Sequence, residues 1–195
     1  MVEGKKRFVF KNENLQRVLH SSSDHDLKTQ KCIVFKKGKF IVTRKGSFVL
    51  RLAENLFKDL KPFCKNIKIV GSIRRKEKNP VDIDIVLIPK DKNKLEDFMK
   101  TKGKFIQGGE HESTWKIEGV KVELYYTSEE EWGAALLAYS SKVGAGIGLR
   151  IIAKRKGLKL NNHGLFDKKG RKIAGKTERE IYHALGRKFK FPENR

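Results

Sequence analysis

Cysteine is almost missing from this 195-residue chain, which holds only Cys32 and Cys64. Two thiols without paired spacing exclude a zinc-binding cysteine motif and a disulfide framework, and they predict reduced thiols in an intracellular protein. Long apolar runs are missing too. No segment approaches the roughly 18 residues that a membrane span needs, so no membrane partner is expected. The chain starts Met-Val-Glu-Gly-Lys-Lys-Arg and lacks the apolar stretch of a signal peptide. The expected location is intracellular and cytoplasmic, with a nuclear or virion-associated one left open.

Acidic residues are scarce relative to basic ones. Twenty-three Asp and Glu stand against 45 Lys and Arg, a formal net charge of +22. A polyanionic partner, a basic tail or an acidic membrane surface could each account for such an excess. Lysine and arginine run through the whole chain, which excludes a tail. Hydrophobic content is low at 38%. The length still allows one substantial domain, or two small ones packed together.

The most informative stretch is Val70-Gly71-Ser72-Ile73-Arg74-Arg75, followed by Pro80-Val81-Asp82-Ile83-Asp84-Ile85-Val86-Leu87-Ile88. It reads as a Gly-Ser turn, a short basic loop and a buried strand that opens with two carboxylates. Strand side chains alternate, so Asp82 and Asp84 share one face while Ile83 and Ile85 take the other. Adjacent carboxylates repel unless a cation lies between them. Oxygen ligands of this kind suit hard divalent ions, and Mg²⁺ commonly joins one or two carboxylates to substrate phosphates. Gly71 and Ser72 offer backbone N–H groups and a hydroxyl to a phosphate, and Arg74 and Arg75 add guanidinium forks for the same anion.

The remaining elements follow from periodicity. Residues 1–45 form an N-terminal extension of net charge +8, with short strands at Arg7–Phe10, Cys32–Phe35 and Phe40–Thr43, and a short helix over Asn12–His20. Phe48, Leu52, Leu56 and Leu60, with Val49, Ala53 and Phe57, mark a helix that ends at Pro62. Strand Ile67–Val70 leads into the Gly-Ser turn. A second helix includes Leu95–Met99 and stops near Gly103. A hairpin crosses Glu118-Gly119, joining Trp115–Ile117 to Val120–Thr127. On its second strand Val120, Val122 and Leu124 alternate with Lys121, Glu123 and Tyr125, making Glu123 the candidate third metal carboxylate. Glu118, beside a turn glycine, is the fallback. Gly133 to Gly157 contains no acid. It reads as a helix over Ala134–Ala138, an interruption at Tyr139-Ser140-Ser141-Lys142, and a basic helix over Leu149–Lys156 carrying Arg150 and Lys154. Thr177 to Leu185 fits a helix with Thr177 as N-cap and Glu180 completing a capping box.

The Gly-Ser turn, arginines and Asp-x-Asp strand resemble the signature of the nucleotidyltransferase superfamily. Further on, Gly133-Ala134-Ala135-Leu136-Leu137, Leu149-Arg150, Lys156-Gly157-Leu158-Lys159-Leu160-Asn161, Gly164-Leu165-Phe166, the run Ile173 to Tyr182 and the run Phe189 to Arg195 resemble the family X DNA polymerases. The resemblance covers about residues 46–195. It implies an α+β fold: a palm of mixed β-sheet with helices on one face (46–132), and a small α/β C-terminal domain that contacts nucleotide and template (133–195). Residues 1–45 match neither the lyase domain nor the helix-hairpin-helix segment of most members. The minimal two-part form of the family is therefore expected, as a monomer.

What the resemblance implies for function is a DNA-directed DNA polymerase that adds dNTPs to a primer 3′-hydroxyl in gapped DNA. Its cofactor would be two Mg²⁺ ions, with Mn²⁺ able to substitute. Asp82, Asp84 and Glu123 fall on the metal-binding acids, although the third is usually aspartate. Gly71, Ser72 and Arg75 fall on triphosphate-binding positions. Tyr139, Ser140 and Ser141 lie on the segment against the incoming sugar, and Lys142, Arg150 and Lys154 on the DNA-contacting surface. The family typically has Tyr-Phe-Thr-Gly where this chain has Ala138-Tyr139-Ser140-Ser141, so weak rejection of ribonucleotides is expected. Two other readings stay open: a template-independent nucleotidyltransferase acting on RNA ends or small molecules, and a non-catalytic DNA-binding protein on a polymerase fold.

Overall fold

A computed structural model describes residues 31–36 and 39–195. The strand expected at Arg7–Phe10 and the helix at Asn12–His20 lie outside the described residues. Strands β1 (Lys31–Lys36) and β2 (Lys39–Arg44) pair as an antiparallel hairpin.

Helix α1 (Gly46–Leu60) follows, and its buried side chains Val49, Leu52, Ala53, Leu56 and Leu60 recur at helical spacing. Pro62 lies in a 3₁₀ turn (Lys61–Phe63) that ends this helix. Strand β3 (Cys64–Ile69) leads to a single helical turn, α2 (Gly71–Arg74). The expected Gly-Ser turn and basic loop are thus one short helix. Strand β4 (Asp82–Pro89), helix α3 (Lys92–Lys102), and strands β5 (Lys104–Gly108), β6 (Glu112–Ile117) and β7 (Val120–Tyr126) complete a five-stranded sheet of order β3-β4-β7-β6-β5. The central β4–β7 pair is parallel, while the other neighbours are antiparallel. Asp91 caps α3 by accepting from the Lys94 N–H at 3.2 Å.

One face of the sheet carries the main core. Ile83, Ile85 and Leu87 of β4 and Val122 and Leu124 of β7 pack with Leu56 of α1 and Leu95 and Met99 of α3. The other face is divided. Val86 is covered by Ala135 and Leu136 of helix α4 (Trp132–Ser140), whereas Asp82 and Asp84, further toward the start of β4, are only partly buried.

A second core lies in the C-terminal third. Helix α5 (Val143–Arg155), the small sheet β8 (Lys159–Asn161), β9 (Gly164–Phe166) and β10 (Lys172–Ala174), and helix α6 (Glu178–Ala184) enclose Leu137, Leu149, Ala153, Leu165 and Ile181. The capping box expected on α6 is formed: Glu180 N donates to Thr177 Oγ1 at 3.1 Å, and Thr177 N donates to Glu180 Oε2 at 3.3 Å. Gly133 lets α4 dock here, since a Cβ at that position would stand 2.2 Å from the Thr177 backbone. The first N–H groups of α4 then donate to carbonyls of the same segment, Gly133 N to Lys176 O and Ala134 N to Gly175 O.

Besides the short helix α2 and the small sheet β8–β10, the described elements differ from expectation in three further places. Strand β5 was not anticipated, because all its side chains are exposed and give no alternating signal. Tyr139 and Ser140 belong to α4, so the break falls at Ser141-Lys142 rather than at Tyr139. Helix α5 begins at Val143, taking in the glycine-rich stretch that local propensity counts against. Among the described residues no helix is long and apolar enough to cross a membrane.

Candidate active site

Strand pairing brings the three candidate acids together. Asp82 and Asp84 project from one face of β4, and the parallel register sets Asp84 opposite Glu123 of β7. Their proximity has an electrostatic cost. Burial, then the charges of Asp82 and Glu123, push the Asp84 carboxyl up from 3.8 to about 7. The Tyr125 hydroxyl opposes this by donating to Asp84 Oδ1 at 3.4 Å. Glu123 is turned along its own strand, onto Lys121 Nζ at 2.8 Å. Glu118 has φ +48 in the tight turn that joins β6 to β7, and its carbonyl accepts from Arg44 Nε at 2.9 Å. It stands outside the acidic face.

The short helix α2 closes the site from the side. Gly71 has φ +62, and a Cβ there would fall 1.9 Å from Asp84 Oδ2. Only glycine satisfies both the backbone angle and this approach. Ser72 is buried, and its Oγ has no hydrogen-bond partner. A buried hydroxyl without a partner costs on the order of 1–3 kcal/mol unless a ligand satisfies it. Arg75 reaches Glu77 Oε1 at 2.8 Å and the Ser140 carbonyl at 3.3 Å.

Arg74 behaves differently from the expected anion fork. Its guanidinium grips Glu178 with both nitrogens, at 3.0 and 2.6 Å, and donates to Ser140 Oγ at 2.7 Å. Arg195 Nη1 joins the same carboxylate at 2.6 Å. This buried network ties α2 to α4, α6 and the last residue of the sequence. Ser140 is fully buried, with its hydroxyl engaged in that network. Ser141 Oγ donates back to the Leu137 carbonyl at 2.7 Å, closing the end of α4. Of the expected sugar-contacting trio, Tyr139 alone faces the acidic site. Its ring stacks on Tyr125, with centroids 3.6 Å apart and planes at 15°.

Lys142, Arg150 and Lys154 are exposed. Arg150 lines a small cavity with Ala138, Ser141, Gly146 and Asn161, at the junction of α4, α5 and β8. Sequence reasoning missed Tyr125 and Glu178. The alternation that singled out Glu123 also points Tyr125 to the same face, so that signal was present. Nothing local links Glu178 to Arg74, 104 positions away.

The all-oxygen donor set fits a hard divalent ion, and the unsatisfied Ser72 hydroxyl fits a phosphoryl oxygen. Among the described residues no three His, Cys, Asp or Glu side chains are already gathered as a metal-ligating group. Glu123 would have to leave Lys121 to join the aspartates.

Paired strand carboxylates beside a glycine-serine helix start are consistent with the nucleotidyltransferase signature that the sequence resembles. Residues 146–195 match the family model described as DNA polymerase beta thumb. The chain is similar to the repair DNA polymerase X of African swine fever virus. The Warthog/Namibia isolate's protein is 31% identical over 156 residues, covering 70% of this chain and 84% of the relative. The protein of the Tick/South Africa Pretoriuskop isolate shows the same identity and coverage. That of the Vero-adapted Badajoz strain is 30% identical over 149 residues, again covering 70% and 84%. The chain belongs to the family X DNA polymerases and is a repair-type nucleotidyltransferase.

Proposed function

We propose that this polymerase fills short gaps in DNA, adding dNTPs to a primer 3′-hydroxyl with Asp82, Asp84 and Glu123 as ligands of two Mg²⁺ ions. The observation that carries the reading is the meeting of these acids beside Gly71, next to which Ser72 carries a buried, unpartnered hydroxyl. Residues 46–132 act as the palm and residues 133–195 as the nucleotide- and template-contacting domain of a monomer.

Bound divalent ions supply Lewis acidity that activates the 3′-hydroxyl and neutralises charge on the triphosphate. The chain's own residues do the positioning. The Ser72 hydroxyl and the N–H groups at the start of α2 hold a phosphoryl oxygen, and Arg75 exchanges Glu77 for the same phosphate chain. Asp82 and Asp84 would hold the cations. Tyr139 forms the wall beside the incoming sugar. Lys142, Arg150 and Lys154 neutralise DNA phosphates and orient the duplex. Positioning and charge neutralisation carry the rate of such transfers, since the protein itself forms no covalent bond.

The test is primer extension on a one-nucleotide gap, compared with extension of single-stranded RNA, with each dNTP in Mg²⁺. Efficient filling of the gap with the templated nucleotide and no extension of RNA is expected. Preference for RNA ends would replace this reading with template-independent transfer.

A further inference from the structure

Asp84 has a neighbour that cation binding does not explain. Tyr125 lies two residues beyond Glu123 on β7, so its side chain leaves the same face of the strand. Its hydroxyl donates to Asp84 Oδ1 at 3.4 Å. A carboxylate oxygen that accepts this bond has one lone pair fewer for a cation.

The Tyr125 ring does not stand alone. It is stacked flat on Tyr139 of α4. The Tyr139 hydroxyl accepts from Asn162 Nδ2 at 3.5 Å. Asn162 sits in the turn between β8 and β9, beside His163, whose Nδ1 lies 3.0 Å from Glu131 Oε2. A continuous series of contacts therefore runs from Asp84 through two stacked rings to the turn between β8 and β9. The two polar links are long, in the range where a displacement of a few tenths of an ångström makes or breaks a hydrogen bond. The ring stack between them is tight, with centroids 3.6 Å apart.

We propose that Tyr125 is a positioning residue: it holds Asp84 off the divalent cation, and the turn carrying Asn162 sets its position by moving the stacked Tyr139–Tyr125 pair. The proposal rests on Asp84 being a cation ligand, as in the proposed function. When the C-terminal core draws the rings away, Oδ1 is released to the cation. When the rings return, the hydroxyl reclaims it. Metal affinity thereby becomes coupled to the placement of the nucleotide- and template-contacting part of the chain.

The experiment is a titration of the full chain with Mn²⁺ alone, without nucleotide or DNA, reading free Mn²⁺ by electron paramagnetic resonance. Tyr125→Phe keeps the ring and its stack but removes the hydroxyl, and is expected to bind Mn²⁺ about three- to tenfold more tightly. Asn162→Ala, a change distant from the cation, is expected to tighten binding in the same direction. The double variant should bind no more tightly than Tyr125→Phe. Unchanged or weaker binding by Tyr125→Phe overturns the proposal. Unchanged binding by Asn162→Ala, or an additive double variant, overturns the coupling to the C-terminal core. Asp84→Asn must weaken Mn²⁺ binding in the same assay. If it does not, the cation site itself is misassigned, a failure distinct from that of the Tyr125 proposal.

Discussion

Replacing Asp84 by asparagine should make the metal-free protein more stable while destroying its activity. Asp84 titrates at about 7 because burial, Asp82 and Glu123 all oppose its charge. Between its unfolded value of 3.8 and about 7, the native state holds the proton more tightly than the unfolded chain does. Stability contributed by this group is therefore present at low pH and lost as pH rises through that window. A displacement of this size corresponds to at most roughly 4 kcal/mol at pH 8. Partial exposure of the carboxylate and solvent screening reduce this to about 2 kcal/mol. Asparagine has the same shape and no charge. In EDTA, Asp84→Asn should match the wild type near pH 4 and exceed it at pH 8, with a Tm higher by about 4–8 °C. Thermal unfolding at the two pH values, with and without Mg²⁺, makes the comparison. Added Mg²⁺ should raise the wild-type Tm and leave the variant's unchanged. A stability difference that is independent of pH, or a variant less stable than wild type at pH 8, would refute the electrostatic argument.

Three further outcomes are expected. Glu123→Gln should lower kcat by at least two orders of magnitude while Glu118→Gln stays near wild type, because Glu118 lies in a turn off the acidic face; steady-state primer extension with the reverse ordering would show that the third ligand is misassigned. Glu178→Ala leaves the Arg74 and Arg195 guanidiniums buried without their carboxylate and should cost about 3–5 kcal/mol in urea unfolding; a loss below 1 kcal/mol would mean that the network contributes little. DNA affinity should fall steeply with salt, by about 0.9 log units per log unit of salt for each phosphate neutralised, giving a slope of several units overall; a flat response in fluorescence anisotropy would show that the +22 charge serves some other purpose.

The parts of the fold governed by local rules were legible in the sequence. Alternation around Ile83 and Ile85 specified β4 and the shared face of its aspartates. Alternation on β7 selected Glu123 over Glu118, whose positive φ fits the tight turn expected at Glu118-Gly119. Thr177 and Glu180 announced the start of α6. Features governed by tertiary contact were not legible. Helix α4 runs on through Tyr139 and Ser140 because Arg74, far off in sequence, donates to the Leu136 carbonyl and Ser140 Oγ. The glycines of 143–148 weaken any local signal for α5, which packs through Leu149 and Ala153. Local chemistry alone does not separate Arg74 from Arg75, yet a carboxylate 104 positions away binds Arg74.

Everything proposed for the site depends on Asp82, Asp84 and Glu123 forming the cation site of a gap-filling polymerase. The most direct measurement is single-turnover incorporation of the templated dNTP into a one-nucleotide gap with Mg²⁺, run beside a DNA-binding assay, for wild type and Asp82→Ala. Expected are incorporation by the wild type, a loss of at least about a thousandfold in Asp82→Ala, and DNA affinity of the variant within about threefold of the wild type's. Near wild-type incorporation by Asp82→Ala would contradict this assignment.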